Sequence, residues 1–121
     1  MTHFLSFFHP KRYAGPEVFS RILVKQTEGD IEGFQKSDVY SFAITLWEIL
    51  SRKAPWESLD AEGIQQTVTS GNRPSLDEIT LRGKDQEKVK ELLFGILKRC
   101  WSQNIYERPH FDEIIKSLNI M

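Results

Sequence analysis

Cysteine is nearly absent from this 121-residue sequence, which contains one, Cys100. A single cysteine excludes an internal disulfide, and the three histidines, His3, His9 and His110, are too widely spaced to predict a metal site. We therefore expect a protein of a reducing, cytoplasmic setting that holds no metal of its own.

The sequence also lacks an excess of charge of either sign. Its 16 basic residues nearly balance 17 acidic ones, and the isoelectric point is about 6.3. This composition gives no electrostatic footprint for nucleic acid or for an acidic membrane. The apolar stretch MTHFLSFFH (residues 1–9) is too short to span a bilayer and has neither the basic start nor the cleavage site of a signal peptide. We expect no nucleic-acid partner and no membrane partner.

The most informative stretch that is present is KSDVYSFAITLWEIL, residues 36–50. Its apolar residues cannot be placed on one stripe of a 3.6-residue period, so the stretch predicts a helix over about 36–52 that is buried on all sides. Ser37 and Asp38 suit the first turn of such a helix, where side-chain oxygens accept otherwise unpaired amide protons.

The remaining pattern is helical too, with no strand signal. Pro16 suits the start of a short helix, residues 28–33 (EGDIEG) predict a polar loop, and 60–70 predict a helix with Ile64 and Val68 inward. Residues 71–83 predict a long connection. Two amphipathic helices complete the chain, the second beginning at Pro109. Their inward positions are predicted to be Val89, Leu92, Leu93, Ile96, Leu97, Cys100 and Trp101 in the first, and Phe111, Ile114, Ile115 and Leu118 in the second.

The 36–50 stretch resembles the central F helix of the eukaryotic protein kinase catalytic domain. Four further regions resemble kinase motifs in the order in which that family has them. They are Gly15-Pro16-Glu17, Arg52 to Trp56, Ser70 to Pro74, and Arg99-Cys100-Trp101 with Glu107-Arg108-Pro109. The details look closest to receptor-interacting protein serine/threonine kinases, in the tyrosine kinase-like group.

The resemblance covers residues 11–121 and implies an all-α fold, the truncated helical C-lobe of a kinase. The N-lobe, the catalytic loop and the metal-binding motif have no counterpart in the sequence, which contains no GxGxxG, His-Arg-Asp or Asp-Phe-Gly. ATP and Mg belong to the parent family, and we expect no cofactor-binding, metal-binding or catalytic residue in this chain. Residues 1–10 do not resemble an activation segment, and we expect them to be disordered or to come from a truncated reading frame.

The resemblance implies roles for three charged residues. Asp38 matches the aspartate that holds the backbone of the catalytic loop, and its alternative is an ordinary first-turn carboxylate. Glu17 and Arg108 match a largely buried ion pair that ties the activation segment to the helical lobe. Their alternative is two unrelated surface charges.

Five other residues receive structural or substrate-side roles. Arg12 and Tyr13 fall where the family receives the substrate, although Ala14-Gly15 departs from the usual sequence there. Trp47 and Trp101 are predicted to pack within the lobe. Cys100 is predicted to be an inert packing thiol.

Three functional hypotheses stay open at this point. In the first, the chain is part of a kinase domain whose remainder is encoded upstream, and the parent transfers the γ-phosphate of ATP to protein serine or threonine. In the second, it is a short non-catalytic interaction module that binds a kinase or another signalling protein. In the third, it is the product of a degraded gene.

Overall fold

The computed structural model describes residues 10–19, 28–84 and 86–119. These ranges contain five α-helices and three 3₁₀ turns joined by loops. No strand occurs within them, which confirms the all-α prediction. The α-helices are α1 (Pro16–Phe19), α2 (Glu28–Ser51), α3 (Ala61–Thr69), α4 (Gln86–Cys100) and α5 (Phe111–Leu118). The 3₁₀ turns are Pro10–Tyr13, Leu76–Glu78 and Ile105–Glu107.

Helix α2 is the centre of the fold. It has 24 residues, and at 1.5 Å per residue it is about 36 Å long. One face is buried against the loop after α3, helix α4 and the 3₁₀ turn at Ile105–Glu107. The buried residues recur with helical spacing, and they are Lys36, Val39, Tyr40, Ala43, Ile44, Trp47 and Ser51.

The prediction that α2 is buried on all sides is wrong. Ile49 is 66% exposed and Ile31 is 61% exposed, and both lie on the side of the helix opposite the core. Phe42 and Leu46, on the same side, are only partly buried. Helix α2 therefore has two apolar faces, of which the described residues cover one.

The predicted start of α2 is also wrong. The helix begins at Glu28, so Ser37 and Asp38 lie inside it and residues 28–33 are helical rather than a polar loop. Once a helix is nucleated, fixing the two backbone dihedral angles of one more residue adds one more hydrogen bond. The free energy gained in this way can exceed the cost of placing a glycine in the helix. Gly33 is buried, so a side chain is not needed to fill the space there.

The shorter helices follow the sequence pattern more closely. Helix α1 begins at Pro16 as predicted, and α3 buries Ile64 and Val68 completely. The Asp60 carboxylate caps α3 by accepting the Gly63 amide proton at 2.8 Å. Helix α5 begins at Phe111, two residues later than predicted, and the Glu113 carboxylate accepts the His110 amide proton at 3.4 Å.

The connections around α2 are pinned by specific contacts. Arg52 (φ 61°) and Trp56 (φ 55°) adopt left-handed backbone conformations in the turn that follows α2, an uncommon conformation for residues other than glycine. The long connection between α3 and α4 is held to the core side of α2, because the Trp47 indole donates to the Ser75 carbonyl at 2.7 Å. No helix in the described ranges is both long enough and apolar enough to cross a membrane.

The packing of α3 gives a direct test of the core. We expect Ile64→Ala to lower the free energy of unfolding by about 2–5 kcal/mol, because it leaves a cavity at a fully buried position. Gln65→Ala, at the exposed neighbouring position, is the matched control and should change stability little. Urea unfolding followed by circular dichroism measures both. Equal effects of the two variants would show that α3 does not pack as described.

Candidate functional site

A buried ion pair between Glu17 and Arg108 connects the two ends of the described chain. The Arg108 guanidinium donates to both carboxylate oxygens, with Nη2–Oε1 at 2.7 Å and Nη1–Oε2 at 2.9 Å. Glu17 is 4% exposed and Arg108 is 1% exposed. This two-bond geometry is the strong form of a carboxylate–arginine contact.

Neighbouring groups add further hydrogen bonds to the pair. The Ser37 hydroxyl donates to Glu17 Oε2 at 2.6 Å, and Arg108 donates to the carbonyls of Lys36 and Ser102 at 3.1 and 3.0 Å. The Lys36 ammonium donates in turn to the Arg108 carbonyl. The site therefore fixes α1, the middle of α2 and the segment after α4 in one arrangement.

The environment of Glu17 favours its charged form. Burial by itself would raise the pKa of this carboxyl, but the hydrogen bonds from Arg108 and Ser37 and the Arg108 charge together lower its pKa below 4.5. The carboxylate is thus held ionised inside the protein by its partners.

Two arginines lie over the ring of Tyr40, and sequence reasoning missed this arrangement. The guanidinium carbons of Arg73 and Arg108 are each 5.1 Å from the centre of its ring, within the range of cation–π attraction. Tyr40 is fully buried, its hydroxyl has no hydrogen-bond partner among the described residues, and burial raises its pKa to about 12. The sequence does contain a signal for the two arginines. Each precedes a proline, at 73–74 and at 108–109, and each pair follows a helical segment.

Arg73 extends the network to the loop after α3. It donates to the carbonyl of Trp101 at 2.7 Å, to that of Val68 at 3.1 Å and to the Gln103 side chain at 2.7 Å. Burial lowers the pKa of Arg73. The arginine therefore closes the end of α3 against the end of α4.

Arg12 and Tyr13 pack against α2 and the turn that follows it. Arg12 is 8% exposed and donates to the carbonyls of Pro55, Trp56 and Leu59. The Tyr13 hydroxyl donates to the Glu48 carboxylate at 2.8 Å; burial, followed by this bond, raises its pKa to about 12. These contacts hold the Pro10–Tyr13 turn in place, and the substrate-side role of the two residues stays a prediction.

Asp38 is exposed on the outer face of α2. It lines an open groove of about 490 Å³ between α2 and α5, together with Gln35, Val39, His110, Phe111 and Asp112. The first-turn alternative is wrong, because ten residues of α2 precede Asp38. Its role in holding the backbone of a catalytic loop stays a prediction. The exposed carboxylate is accessible to such a loop.

The predicted packing residues separate into two groups. Trp47, Trp101 and Cys100 are buried, and burial raises the pKa of the Cys100 thiol to about 11. Phe111 and Ile115, predicted to face inward, are 41% and 57% exposed. The inward prediction is wrong for these two because α5 turns only the Ile114 side toward the core.

Exposed and partly buried apolar residues lie on the outer side of α2 and on α5, and we call this set the apolar seam. The rings of Phe42 and Phe111 join the two helices, with centres 5.8 Å apart and planes at 82°. The seam consists of Ile31, Phe34, Phe42, Leu46 and Ile49 of α2 with Phe111 and Ile115 of α5. Sequence reasoning assigned Phe42, Leu46, Ile49, Phe111 and Ile115 to the core, placed Ile31 in a polar loop and gave Phe34 no role.

ATP and Mg stay expectations for the parent family and are not assigned to residues of this chain. No group of three or more potential metal-ligating side chains occurs in the described ranges, and the phosphate-binding motifs of kinases are not among these 121 residues. We therefore derive no phosphate-transfer step from this chain.

A helical bundle built around α2, with a buried carboxylate–arginine pair that ties the Gly-Pro-Glu segment to the Arg-Pro segment, defines the helical lobe of a protein kinase. Comparison with known proteins agrees. The chain belongs to the protein tyrosine and serine/threonine kinase family, whose profile matches residues 9–118.

Similar proteins include several kinases and a receptor. The human (Homo sapiens) receptor-interacting serine/threonine-protein kinase 1 is 37% identical over 84% of the chain. The mouse (Mus musculus) ankyrin repeat and protein kinase domain-containing protein 1 is 42% identical over 61%, and the rat (Rattus norvegicus) atrial natriuretic peptide receptor 2 is 38% identical over 86%. The chain spans only 13%, 10% and 10% of these relatives, respectively.

The Glu17–Arg108 pair predicts non-additive mutations. We expect Glu17→Ala and Arg108→Ala each to cost about 3–5 kcal/mol, because each strands a buried charge. The double variant should cost much less than the sum. Urea unfolding of the four proteins gives the coupling energy. The matched control is the exposed pair Arg99–Glu113, whose coupling should be at most about 1 kcal/mol; similar coupling in both cycles would contradict the buried pairing.

The lowered pKa of Glu17 predicts a pH dependence. The carboxylate contributes stability that is fully present above its unfolded pKa of 4.5 and is lost as the pH falls through the lower folded-state pKa. The unfolding free energy should therefore fall below pH 4.5 in the natural sequence and fall less in Glu17→Gln. Urea unfolding across this range measures it, with the exposed Glu57→Gln as control. Parallel curves for Glu17→Gln and the natural sequence would rule out this linkage.

Proposed function

We propose that these residues are the scaffold portion of a protein kinase catalytic domain and that the apolar seam docks the remainder of that domain. The parent domain then transfers the γ-phosphate of ATP to serine or threonine of a protein, with ATP and Mg bound outside these 121 residues. The chain alone transfers no phosphate.

The second apolar face of α2 is the observation that carries this proposal. A solvated helix normally has one apolar stripe and a polar opposite face. The exposed side of α2 instead carries Ile31, Phe34 and Ile49 among polar residues such as Glu32, Gln35 and Thr45, and exposed apolar side chains on one face are a feature of interaction sites. Asp38 lies within it and offers a carboxylate to the backbone amides of whatever docks there.

The network around Glu17 supplies the second part of the scaffold role. It fixes the Gly-Pro-Glu segment against the bundle through two hydrogen bonds from Arg108 and one from Ser37. In the family, this segment closes the activation segment, so a rigid anchor here positions the chain that leads toward the catalytic half. The name of one relative, receptor-interacting serine/threonine-protein kinase 1, supports serine or threonine as the acceptor, and the family itself includes both tyrosine and serine/threonine kinases.

A second candidate function is a short, non-catalytic module that binds a kinase or another signalling protein. The same seam favours it, because Phe111 and Ile115 of α5 widen the exposed apolar surface beyond α2. In this case the seam is the binding surface for a separate protein, and no phosphate transfer is associated with the chain.

The two functions differ in the size and activity of the protein in cells. We expect an antibody to the exposed side of α4 to capture a species larger than 14.1 kDa. Intact mass spectrometry measures its mass, and peptide sequencing identifies the residues that precede Arg12. The captured species should transfer labelled phosphate from ATP to a mixed protein substrate.

The isolated 121-residue chain, assayed in parallel, is the control and should transfer none. A captured species of 14.1 kDa without transfer would overturn the scaffold proposal in favour of the interaction module. A larger species without transfer would leave the scaffold role and remove the catalytic one, and transfer by the isolated chain would contradict its assignment as non-catalytic.

A further inference from the structure

Ser75, in the long connection between α3 and α4, lies between an arginine and two carboxylates in the sequence. Arg73 precedes it by two positions, and Asp77 and Glu78 follow it by two and three. The serine is exposed. Its backbone is extended, with φ −68° and ψ 126°, close to the polyproline II conformation. An enzyme that acts on this hydroxyl therefore meets an exposed side chain on an extended backbone.

The Ser75 hydroxyl is available for chemistry. Its oxygen accepts the Asp77 amide proton at 3.2 Å, and its own proton has no acceptor among the described residues. Several other serine hydroxyls in the described ranges donate hydrogen bonds to carbonyls or carboxylates, and these are Ser37, Ser41, Ser70, Ser102 and Ser117. Ser75 can therefore lose its proton without breaking a hydrogen bond that it donates.

The pattern Ser-Leu-Asp-Glu at 75–78 is also typical of a capping box, but the contacts of Glu78 do not fit one. In a capping box, the serine oxygen accepts an amide proton, and the glutamate three residues later accepts the amide proton of the serine. Ser75 makes the first contact. The Glu78 carboxylate instead binds the Lys53 ammonium, and the short turn that follows Ser75 ends at Glu78. Capping therefore does not account for Glu78.

The structure separates the basic side of Ser75 from its acidic side. The Arg73 guanidinium is directed into the lobe, where it donates to main-chain carbonyls and to one side-chain amide. Asp77 is exposed, and the Glu78 side chain is 43% exposed. A protein that approaches Ser75 from solvent therefore meets the two carboxylates and does not meet the guanidinium.

We propose that Ser75 is a phosphorylation site for a separate serine kinase whose substrate groove is basic. The Ser75 oxygen attacks the γ-phosphorus of ATP, the bond from that phosphorus to the bridging oxygen breaks, and ADP leaves. The hydroxyl proton passes to a base of that kinase. Asp77 and Glu78 supply the charges that a basic groove binds. This modification does not depend on phosphate transfer by the parent domain of the chain.

The phosphate acts on the bond that holds the long connection to α2. The Ser75 carbonyl accepts the Trp47 indole proton at 2.7 Å. A phosphate on Ser75 carries a charge of about −1.5 to −2 at pH 7, and it lies within three residues of Asp77 and Glu78. The repulsion between these like charges opposes the turn at Leu76–Glu78. Phosphorylation thereby weakens the attachment of the connection to the central helix.

Phosphate transfer to the purified 121-residue chain tests the site. The enzyme is a serine kinase that requires carboxylates two and three residues after the acceptor, as established on peptides unrelated to this chain. With this kinase, ATP and Mg, we expect phosphate on Ser75, located by peptide mass spectrometry. Ser75→Ala should remove it, and the chain incubated with ATP and Mg alone should carry none.

A charge-neutral variant tests whether the carboxylates are recognised. Asp77→Asn combined with Glu78→Gln keeps the size of both side chains and should lower kcat/KM for Ser75 roughly tenfold, because two charged contacts are lost. Both residues are exposed, and circular dichroism checks that the variant is folded.

Two controls test the direction of recognition. Ser58 is also exposed and has Asp60 two residues later but Ala61 at the third position, and it should receive much less phosphate than Ser75. A kinase that requires arginine before the acceptor should leave Ser75 unmodified, because the guanidinium of Arg73 is turned into the lobe.

Hydrogen exchange of the Trp47 indole measures the effect on α2. In the phosphorylated chain we expect this proton to exchange roughly two- to tenfold faster than in the unmodified chain, since it loses part of its bond to the Ser75 carbonyl. The amides of α5, on a separate helix, are the control and should exchange at equal rates in the two forms.

Several outcomes would overturn the proposal. Phosphate on Ser58 in place of Ser75, or an unchanged rate in the charge-neutral variant, would exclude recognition of the two carboxylates. The protein captured from cells with phosphatases inhibited should carry phosphate on Ser75, and its absence there would contradict the site. Equal indole exchange in the two forms would contradict the effect on α2. The phosphate-transfer activity of the captured protein is a separate measurement, so this proposal and the proposed function can fail independently.

Discussion

The buried contact between Glu17 and Arg108 determines how the rest of the structure is arranged. The two residues are 91 positions apart in the chain, and their hydrogen bonds leave little freedom for α1 or for the segment after α4. A buried ion pair of this kind contributes little net stability compared with apolar packing, because desolvation offsets the attraction. The pair instead fixes the orientation of the segments that it joins, since the rigid guanidinium fork can donate to both carboxylate oxygens in only a few geometries. The cation–π contacts to Tyr40 and the carbonyls bound by Arg73 extend that orientation to the ends of α3 and α4.

Sequence reasoning succeeded where the type and spacing of a residue favour a single structural role. Pro16 began a helix, Ile64 and Val68 lay on the core side of α3, and Cys100 was buried. It failed at the first third of α2. Two glycines and several acidic residues there predicted a loop, but a helix that is already nucleated extends through them. It also failed at Phe111 and Ile115, because helical periodicity places apolar residues on a face and does not show whether another element covers that face. The contact of Tyr40 with two arginines depends on loops far apart in sequence, which no local pattern encodes.

The two faces of α2 account for the most unusual property of the lobe. The core face is complete, with Tyr40, Ile44 and Trp47 packed and Trp47 hydrogen-bonded to the long connection. The opposite face carries Phe42 and Leu46, which are partly buried, and Ile49, which the described residues leave 66% exposed. A helix with this composition is built for burial by two layers of protein. The docking of a catalytic half is one way to supply the second layer.

The burial of Cys100 has a consequence for the oxidation chemistry of the protein. The chain has one sulfhydryl group, packed against the core with its pKa raised to about 11. Since the thiolate is the reactive species, peroxide and disulfide exchange attack such a group slowly while the fold is intact. Oxidative cross-linking of two copies therefore requires that α4 first separate from α2. A disulfide-linked dimer of this chain would record a past unfolding event and would not represent an assembly of native molecules.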